Sequence, residues 1–206
     1  MPRPKSELII KGAVEGVVDE AVLRRLLVHV GATPGPIYGK NGKDRLLKQI
    51  AGYNNAARLS PWVVLVDLDQ DHDCAPPTRE RWLPRPEPKM CFRVVVHEIE
   101  AWLMADRERL SSFLGVALSL VPQMPESINH PKRRMVQLAA RSRRREILED
   151  MVPRKDSGRT TGPAYASRLI EFVSGGTAPG WRPDAAAESS DSLVRCLHYL
   201  NRLVKG

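Results

Sequence analysis

Cysteine is scarce in this 206-residue chain, and its three copies, Cys74, Cys91 and Cys196, are odd in number and widely spaced. That pattern fits neither a disulfide framework nor a paired Cys-x-x-Cys zinc site, so the thiols are expected to be buried or incidental. Long apolar runs are missing as well. Runs such as residues 62–66 and 94–96 fall far short of the ~20 residues a membrane-spanning helix needs. The first residues, Met-Pro-Arg-Pro-Lys-Ser-Glu, pass into Leu8, Ile9 and Ile10 without the apolar core of a secretory signal, which predicts a cytoplasmic protein with no membrane partner. Aromatic residues make up only 5% of the chain. Little surface is therefore left for base stacking, and any nucleic-acid contact is expected to run through phosphates. The sequence shows no internal repeat and no long low-complexity segment.

What is present is charge, unevenly placed. The chain carries 32 Lys and Arg against 24 Asp and Glu, a formal net charge of +8. Residues 1–106 hold 15 basic and 14 acidic side chains, whereas residues 107–206 hold 17 and 10. A nearly neutral front and a basic back suggest that the second half meets a polyanion. At 42% apolar and 27% charged the composition is that of a globular protein long enough to bury a core.

The front half alternates in period. Residues 8–14 read as a buried strand, and Val18, Val22, Leu26 and Val30 then form a helical stripe closed by Gly31. Residues 32–42 read as a Gly/Pro loop with a short strand near Ile37. Residues 43–57 read as one helix. Residues 61–67 form the clearest strand, apolar throughout as a parallel strand covered on both faces should be. Residues 73–88, with five prolines, are expected to be a loop holding at most one turn of helix. A strand over 92–96 and a helix over 97–106 follow. Beyond Asp106 the pattern predicts helices only, over 107–114, 131–151, 162–173 and 190–204. Strands alternating with helices imply an α/β fold with a parallel sheet flanked by helices, about residues 5–110, joined to a basic helical extension over 111–206.

Acids fall where those strands end, the edge at which open parallel sheets bind ligands. Glu15 follows the first strand, with Gly16 beside it and Asp19 one turn later. Asp67 and Asp69 close the third strand, and alternation predicts that both point to one side; Asp71 and Asp73 continue the spacing. Glu98 and Glu100 follow the last strand. Carboxylates gathered this way repel unless a cation holds them, and hard oxygen ligands favour Mg²⁺ or Mn²⁺, ions suited to phosphoryl chemistry. A calcium loop is excluded because His72 stands where the glycine is required and no Glu occupies the twelfth position.

Strand-Glu15-Gly16-helix followed by strand-Asp67-x-Asp69 resembles the Toprim domain of topoisomerases, primases, ribosomal-RNA maturases and the overcoming-lysogenization-defect nucleases. The Glu15-Gly-x-x-Asp19 spacing is most similar to the maturase and nuclease branches. Residues 96–106, Gly162 to Tyr165 and residues 190–196 resemble a family of small, stand-alone bacterial Toprim-like proteins of uncharacterised function, over nearly the whole chain. The resemblance implies that Glu15 acts as metal ligand or acid/base and that Asp67 and Asp69 hold Mg²⁺. Asp19 and Asp71 would be added ligands, and Glu98 would complete a second metal site. It also implies a late catalytic Lys that this sequence does not single out; Lys43, Arg93 and Lys155 remain open. No room exists for a topoisomerase gate or a primase polymerase extension, so metal-dependent phosphodiester hydrolysis remains. Related nucleases work with an ATPase in phage defence, which makes nucleic acid, an ATPase subunit and a second copy of the chain the expected partners. The alternative is a non-catalytic, metal- and nucleic-acid-binding subunit.

Other motifs are weaker. Residues 39–43, Gly-Lys-Asn-Gly-Lys, could cradle a phosphate through Lys43, although the spacing is not that of a P-loop. His97-Glu98 lacks the second His of a zinc protease. Asp67-x-Asp69 also resembles a haloacid-dehalogenase nucleophile motif, which would leave Glu15 unexplained. Residues 132–159 carry ten basic and four acidic side chains. Lys132, Arg133, Arg134, Arg141, Arg143, Arg144 and Arg145 are therefore expected to grip a nucleic-acid backbone, since arginine makes bidentate phosphate contacts.

Overall fold

A computed structural model describes residues 8–69, 75–176 and 179–205. Four parallel strands, β1 (Ile9–Val14), β2 (Thr33–Gly39), β3 (Trp62–Asp67) and β4 (Met90–Val95), form one sheet in the order β2-β1-β3-β4. The expected α/β class is the observed one, with helices flanking the sheet and a helical C-terminal half. Every residue of β3 is buried, because the strand is paired on both edges and covered on both faces.

Alternation divides the strands between two cores. Ile10, Val14, Val63, Leu65, Cys91 and Val95 face the larger one, built with α1 (Val17–His29), α5 (Ile99–Ala105), α6 (Arg107–Leu114) and the helices that follow. Ala13, Val64, Val66, Phe92 and Val94 face the smaller one under α2 (Lys43–Lys48), α3 (Ile50–Ala56) and α4 (Ala75–Trp82). The remaining helices are α7 (Pro131–Ala139), α8 (Arg145–Met151), α9 (Tyr165–Ser174), α10 (Pro183–Ala187) and α11 (Asp191–Lys205). Among the described residues none beyond Asp106 is in a strand, and no helix is long and apolar enough to cross a membrane.

Four expectations are corrected. Residues 33–39 are a full edge strand rather than a loop. Thr33 N–H donates to the Leu8 carbonyl at 2.9 Å, so the missing N–H of the next residue, Pro34, turns to the open edge, and Pro36 falls where the pairing with β1 shifts register between Ile10 and Gly12. The helix expected over 43–57 bends at Gln49 into two. Residues 75–82 form a helix of eight residues, because Pro76 and Pro77 occupy its first turn, where no N–H donor is needed. The helix expected over 131–151 breaks between Ala140 and Arg144. There the buried Ser142 hydroxyl donates to the Leu114 carbonyl at 2.5 Å and accepts from the Arg144 N–H at 2.9 Å, which offers the backbone an alternative to the helical ladder.

Two fully buried tryptophans tie the C-terminal half to the sheet. Trp181 Nε1 donates to the Trp102 carbonyl at 3.1 Å, and Trp102 Nε1 donates to the Ser192 hydroxyl at 2.7 Å. The Trp181 carbonyl accepts from Arg25 of α1 at 3.2 Å. Trp181→Ala removes a large side chain that has no route to solvent, and the expected cost is about 3–5 kcal/mol in urea denaturation. A loss under about 1 kcal/mol would show that this packing is not what secures the extension.

Candidate functional site

The acids converge at the C-terminal edge of the sheet because three chain segments leave it there. After β1, Glu15 turns its carboxylate toward β3 and accepts the Asp67 backbone N–H at 2.7 Å. Gly16 then opens α1, and a Cβ in its place would lie 3.0 Å from Asp19 Oδ2, so its small size lets the Asp19 carboxylate fold back over the helix start. Asp67, on the same face of β3 as Val63 and Leu65, is buried at the mouth of the larger core.

Three carboxylate oxygens in this region are buried without a hydrogen-bond partner: Asp19 Oδ1, Asp67 Oδ1 and Glu100 Oε2. Orphaned buried polar atoms are rare in folded proteins, and an orphaned carboxylate oxygen is among the costlier kinds. Asp106 shows how this chain treats a buried carboxylate with a purely structural task. It is 1% exposed, yet both oxygens are satisfied by the Arg182 guanidinium, with contacts at 2.6 and 3.1 Å, and the Arg182 N–H adds a third at 2.9 Å. The Asp19, Asp67 and Glu100 oxygens are left open by comparison.

Glu100 is a ligand candidate that sequence reasoning does not single out, although one signal for it exists. It is the lone acid in α5, every residue of which is buried. Its Oε1 accepts from the Tyr165 hydroxyl at 3.1 Å and lies 3.8 Å from Lys132 Nζ. Lys132 is thus turned to the acids rather than standing only on a phosphate-facing surface, and their charges raise its pKa, that of Glu100 most. Glu98 accepts the Lys132 backbone N–H at 2.6 Å, which fastens the start of α7 to the start of α5.

Asp69 departs from expectation. Its φ of 51° ends the strand alternation, so the rule that would aim it with Asp67 no longer governs its direction. Its backbone N–H donates to the His97 carbonyl at 2.9 Å, and its carboxylate, 42% exposed, pairs with Lys43 Nζ at 2.5 Å. Asp71 and Asp73 lie outside the described residues. Of the three cations considered for the missing late Lys, Lys43 meets the acids through Asp69. Arg93 lies in β4 over the Tyr199 ring, and Lys155 is exposed between α8 and α9.

Burial raises the pKa of Glu15 to about 7, with Asp19 and Asp69 adding to the rise and the Asp67 N–H and Lys43 opposing it. Burial likewise raises Glu100 to about 7, against the pull of Lys132. Asp67 is pushed well above its ordinary range by burial and then by the charges of Asp19, Glu15, Glu100 and Asp69; Asp19 is also raised by burial. Without a metal these acids hold protons that they would release to a cation. Among the described residues no group of three or more His, Cys, Asp or Glu side chains is already arranged as a metal site.

The basic residues divide into two sets. Arg133 is exposed and, with Glu98 and Lys132, lines a cavity beside the acids. Arg134 reaches back to the Leu120 carbonyl at 2.9 Å. Arg141, Arg143, Arg144 and Arg145 are exposed around the break between α7 and α8. Arg145 pairs with Glu149 at 2.7 Å, and the Arg144 side chain packs near Gly115. At 1.5 Å per residue, the length of α7 separates the two sets by roughly 13 Å.

Comparison of the chain with protein-family models, curated proteins and solved structures gives no match.

The raised acids fix the sign of a pH dependence. Between about pH 4.5 and 7 the folded chain keeps protons on Glu15 and Glu100 that the unfolded chain has released, so stability falls as pH rises through that window. Urea denaturation in EDTA is expected to show a loss on the order of 5 kcal/mol between pH 5 and 8, about half from each group. Glu15→Gln and Glu100→Gln, which copy the protonated forms, should each flatten the slope. A stability that climbs with pH over this range, or slopes unchanged in both variants, would refute the assignment.

Proposed function

We propose that this chain is a divalent-metal-dependent phosphodiesterase of the Toprim type that hydrolyses nucleic acid. The observation that carries the reading is the trio of orphaned oxygens on Asp19, Asp67 and Glu100 at the sheet edge. Those residues fit a hard cation. Asp67, Asp19 and Glu15 would hold Mg²⁺ or Mn²⁺, with Asp69 and, on the far side, Glu100 and Glu98 available for a second ion. A bound ion of this kind supplies an acidified water and neutralises charge on the phosphodiester oxygens.

The chain's own groups supply the rest. Glu15 is either a ligand of that ion or, left outside the ion's shell with the pKa of about 7 that burial gives it, the group that would accept a proton from attacking water near neutral pH. Lys43 at 2.5 Å from Asp69 and Lys132 at 3.8 Å from Glu100 flank the acids with positive charge suited to a developing phosphorane. Arg141, Arg143, Arg144 and Arg145 offer exposed guanidiniums for the backbone of the substrate strand. An ATPase subunit, pairing with a second copy of the chain, a role in phage defence and a cytoplasmic location belong to the same reading through the resemblance alone.

A second reading, a metal-bound but non-catalytic nucleic-acid-binding subunit, is favoured by one fact: no three ligands are already arranged around a common point among the described residues.

Mn²⁺ at about a hundred times its Kd should stabilise the wild type by about 2.7 kcal/mol in a thermal-shift assay, and Asp67→Asn should abolish that gain. With plasmid, single-stranded DNA and bulk tRNA as substrates, assayed with and without a partner ATPase, Mn²⁺-dependent cutting is expected. Glu15→Gln should slow it by about 10²–10⁴-fold. Stabilisation by metal without cutting on any substrate selects the second reading, and no metal effect at all removes both. The paired variant Arg143→Ala, Arg144→Ala should lower the slope of log affinity against log salt by about 1.4 on single strands, about 0.7 for each phosphate that is no longer neutralised.

A further inference from the structure

A second concentration of unmatched charge lies on the other side of the strand ends from Glu15 and Asp19. Leu68, the end of β4, the start of α4 and the start of α11 enclose a cavity of about 530 Å³. Among its lining residues are Arg79, Arg93, His97, Glu126, Asp191 and Arg195. The acids of this set are already engaged. Glu126 accepts from the Ser190 and Ser192 hydroxyls at 2.6 and 2.5 Å and from the Ser192 N–H at 3.1 Å, and Asp191 pairs with Arg195 at 2.7 Å.

Arg79 and Arg93 are left over. Neither forms an ion pair among the described residues, and the Nε–H of each is buried without a hydrogen-bond partner. Both are partly buried, and both guanidiniums act electrostatically on the same two groups, the Cys91 thiol and the Tyr199 hydroxyl, so their charges share one neighbourhood. Arg93 is held in place by stacking over the Tyr199 ring at 5.2 Å, and the Tyr199 hydroxyl is fixed by the Met90 carbonyl at 2.9 Å. Arg93 also hydrogen-bonds the Cys91 thiol, so the two guanidiniums bring to the cavity their charge and their remaining N–H donors, the kind of groups that hold an oxyanion.

We infer that this cavity is a phosphate-binding subsite in which Arg79 and Arg93 take the oxygens of one phosphate group. Its position suggests how it would serve the proposed activity, on which this part of the inference rests. His97 forms a wall of the cavity, and its Nδ1 lies 3.1 Å from the carbonyl of Asp69, which belongs to the acidic group. A strand whose scissile phosphate meets the acids can therefore set a neighbouring phosphate behind that wall. A free nucleotide or inorganic phosphate presents the same chemistry.

The test uses the full chain in EDTA at fixed ionic strength, so that the acids bind no metal. Inorganic phosphate and a nucleoside 5′-monophosphate are titrated by calorimetry, and a labelled single-stranded oligonucleotide by anisotropy, into wild type and Arg79→Gln. Arg79 is on the outer helix α4, and an unchanged Tm certifies that the variant is folded; Arg93→Lys, which keeps the charge but not the fork, serves as the second variant. Saturable phosphate binding that weakens roughly tenfold to a hundredfold in Arg79→Gln supports the subsite. If oligonucleotide affinity falls in parallel and phosphate competes with it, the strand is the source. If only phosphate and mononucleotide weaken, a free nucleotide is. No saturable phosphate binding by the wild type, or equal affinity in wild type and both variants, overturns the inference. Mn²⁺-dependent cutting is scored separately. Cutting with no phosphate site removes the subsite and keeps the proposed activity, whereas a phosphate site without cutting does the reverse.

Discussion

Desolvation of Asp67 is the constraint around which this structure is arranged. The strand that carries it is central, paired on both edges and covered on both faces, so a carboxylate at its end is taken out of water together with the apolar residues before it. An isolated ionised carboxylate in such a place is untenable, and it must gain a proton, a cation or hydrogen bonds. Asp106, buried as well, gains Arg182. Asp67 gains instead further acids, Asp19, Glu15 and Glu100 foremost, which makes its ionisation harder. Negative charge accumulated where charge is most costly is the ground on which the metal site is proposed.

The helical half completes the site rather than merely hanging from it. Lys132 at the start of α7 brings its ammonium to Glu100 and its backbone N–H to Glu98, so the first turn of the basic segment closes over the acids. Tyr165 at the start of α9 donates to Glu100 from another direction. Trp181, whose N–H donates to the Phe172 carbonyl of α9 and whose indole donates to the Trp102 carbonyl, holds α9 to α5, whose first turn carries the acid. Through these contacts the positive and negative parts of the chain, separate in sequence, become one electrostatic unit with flanking cations on two sides. The arginine cavity between β4, α4 and α11 places further positive charge across the Asp69–His97 wall.

Much of the frame was legible in the sequence because it depends on local pattern. Apolar continuity marks β3, a helical stripe marks α1, and acids just past strand ends mark the edge at which the carboxylates gather. The corrected elements are those in which one residue's use depends on a distant partner. Pro34 and Pro36 read as loop until an open sheet edge for the one and a register shift in the pairing with β1 for the other make their missing N–H groups harmless. Ser142 reads as a mid-helix serine until the Leu114 carbonyl gives its hydroxyl an acceptor and the helix breaks. Asp69 follows the strand rule in sequence but takes a left-handed conformation where its backbone meets His97.

By itself, then, the sequence determined the alternation of strands and helices, the parallel α/β class, and the placing of Glu15, Asp67 and Asp69 at strand ends, since hydrophobic period and the position of charge relative to it are properties of neighbouring residues. Only the tertiary structure decided which acids are desolvated together, that Glu100 joins them, that Lys132 and Lys43 turn toward them, and that among the described residues the Nε–H groups of Arg79 and Arg93 find no hydrogen-bond partner. Those outcomes depend on burial and on distances between residues far apart in the chain. Ionisation energies respond to just these quantities, which no local pattern encodes.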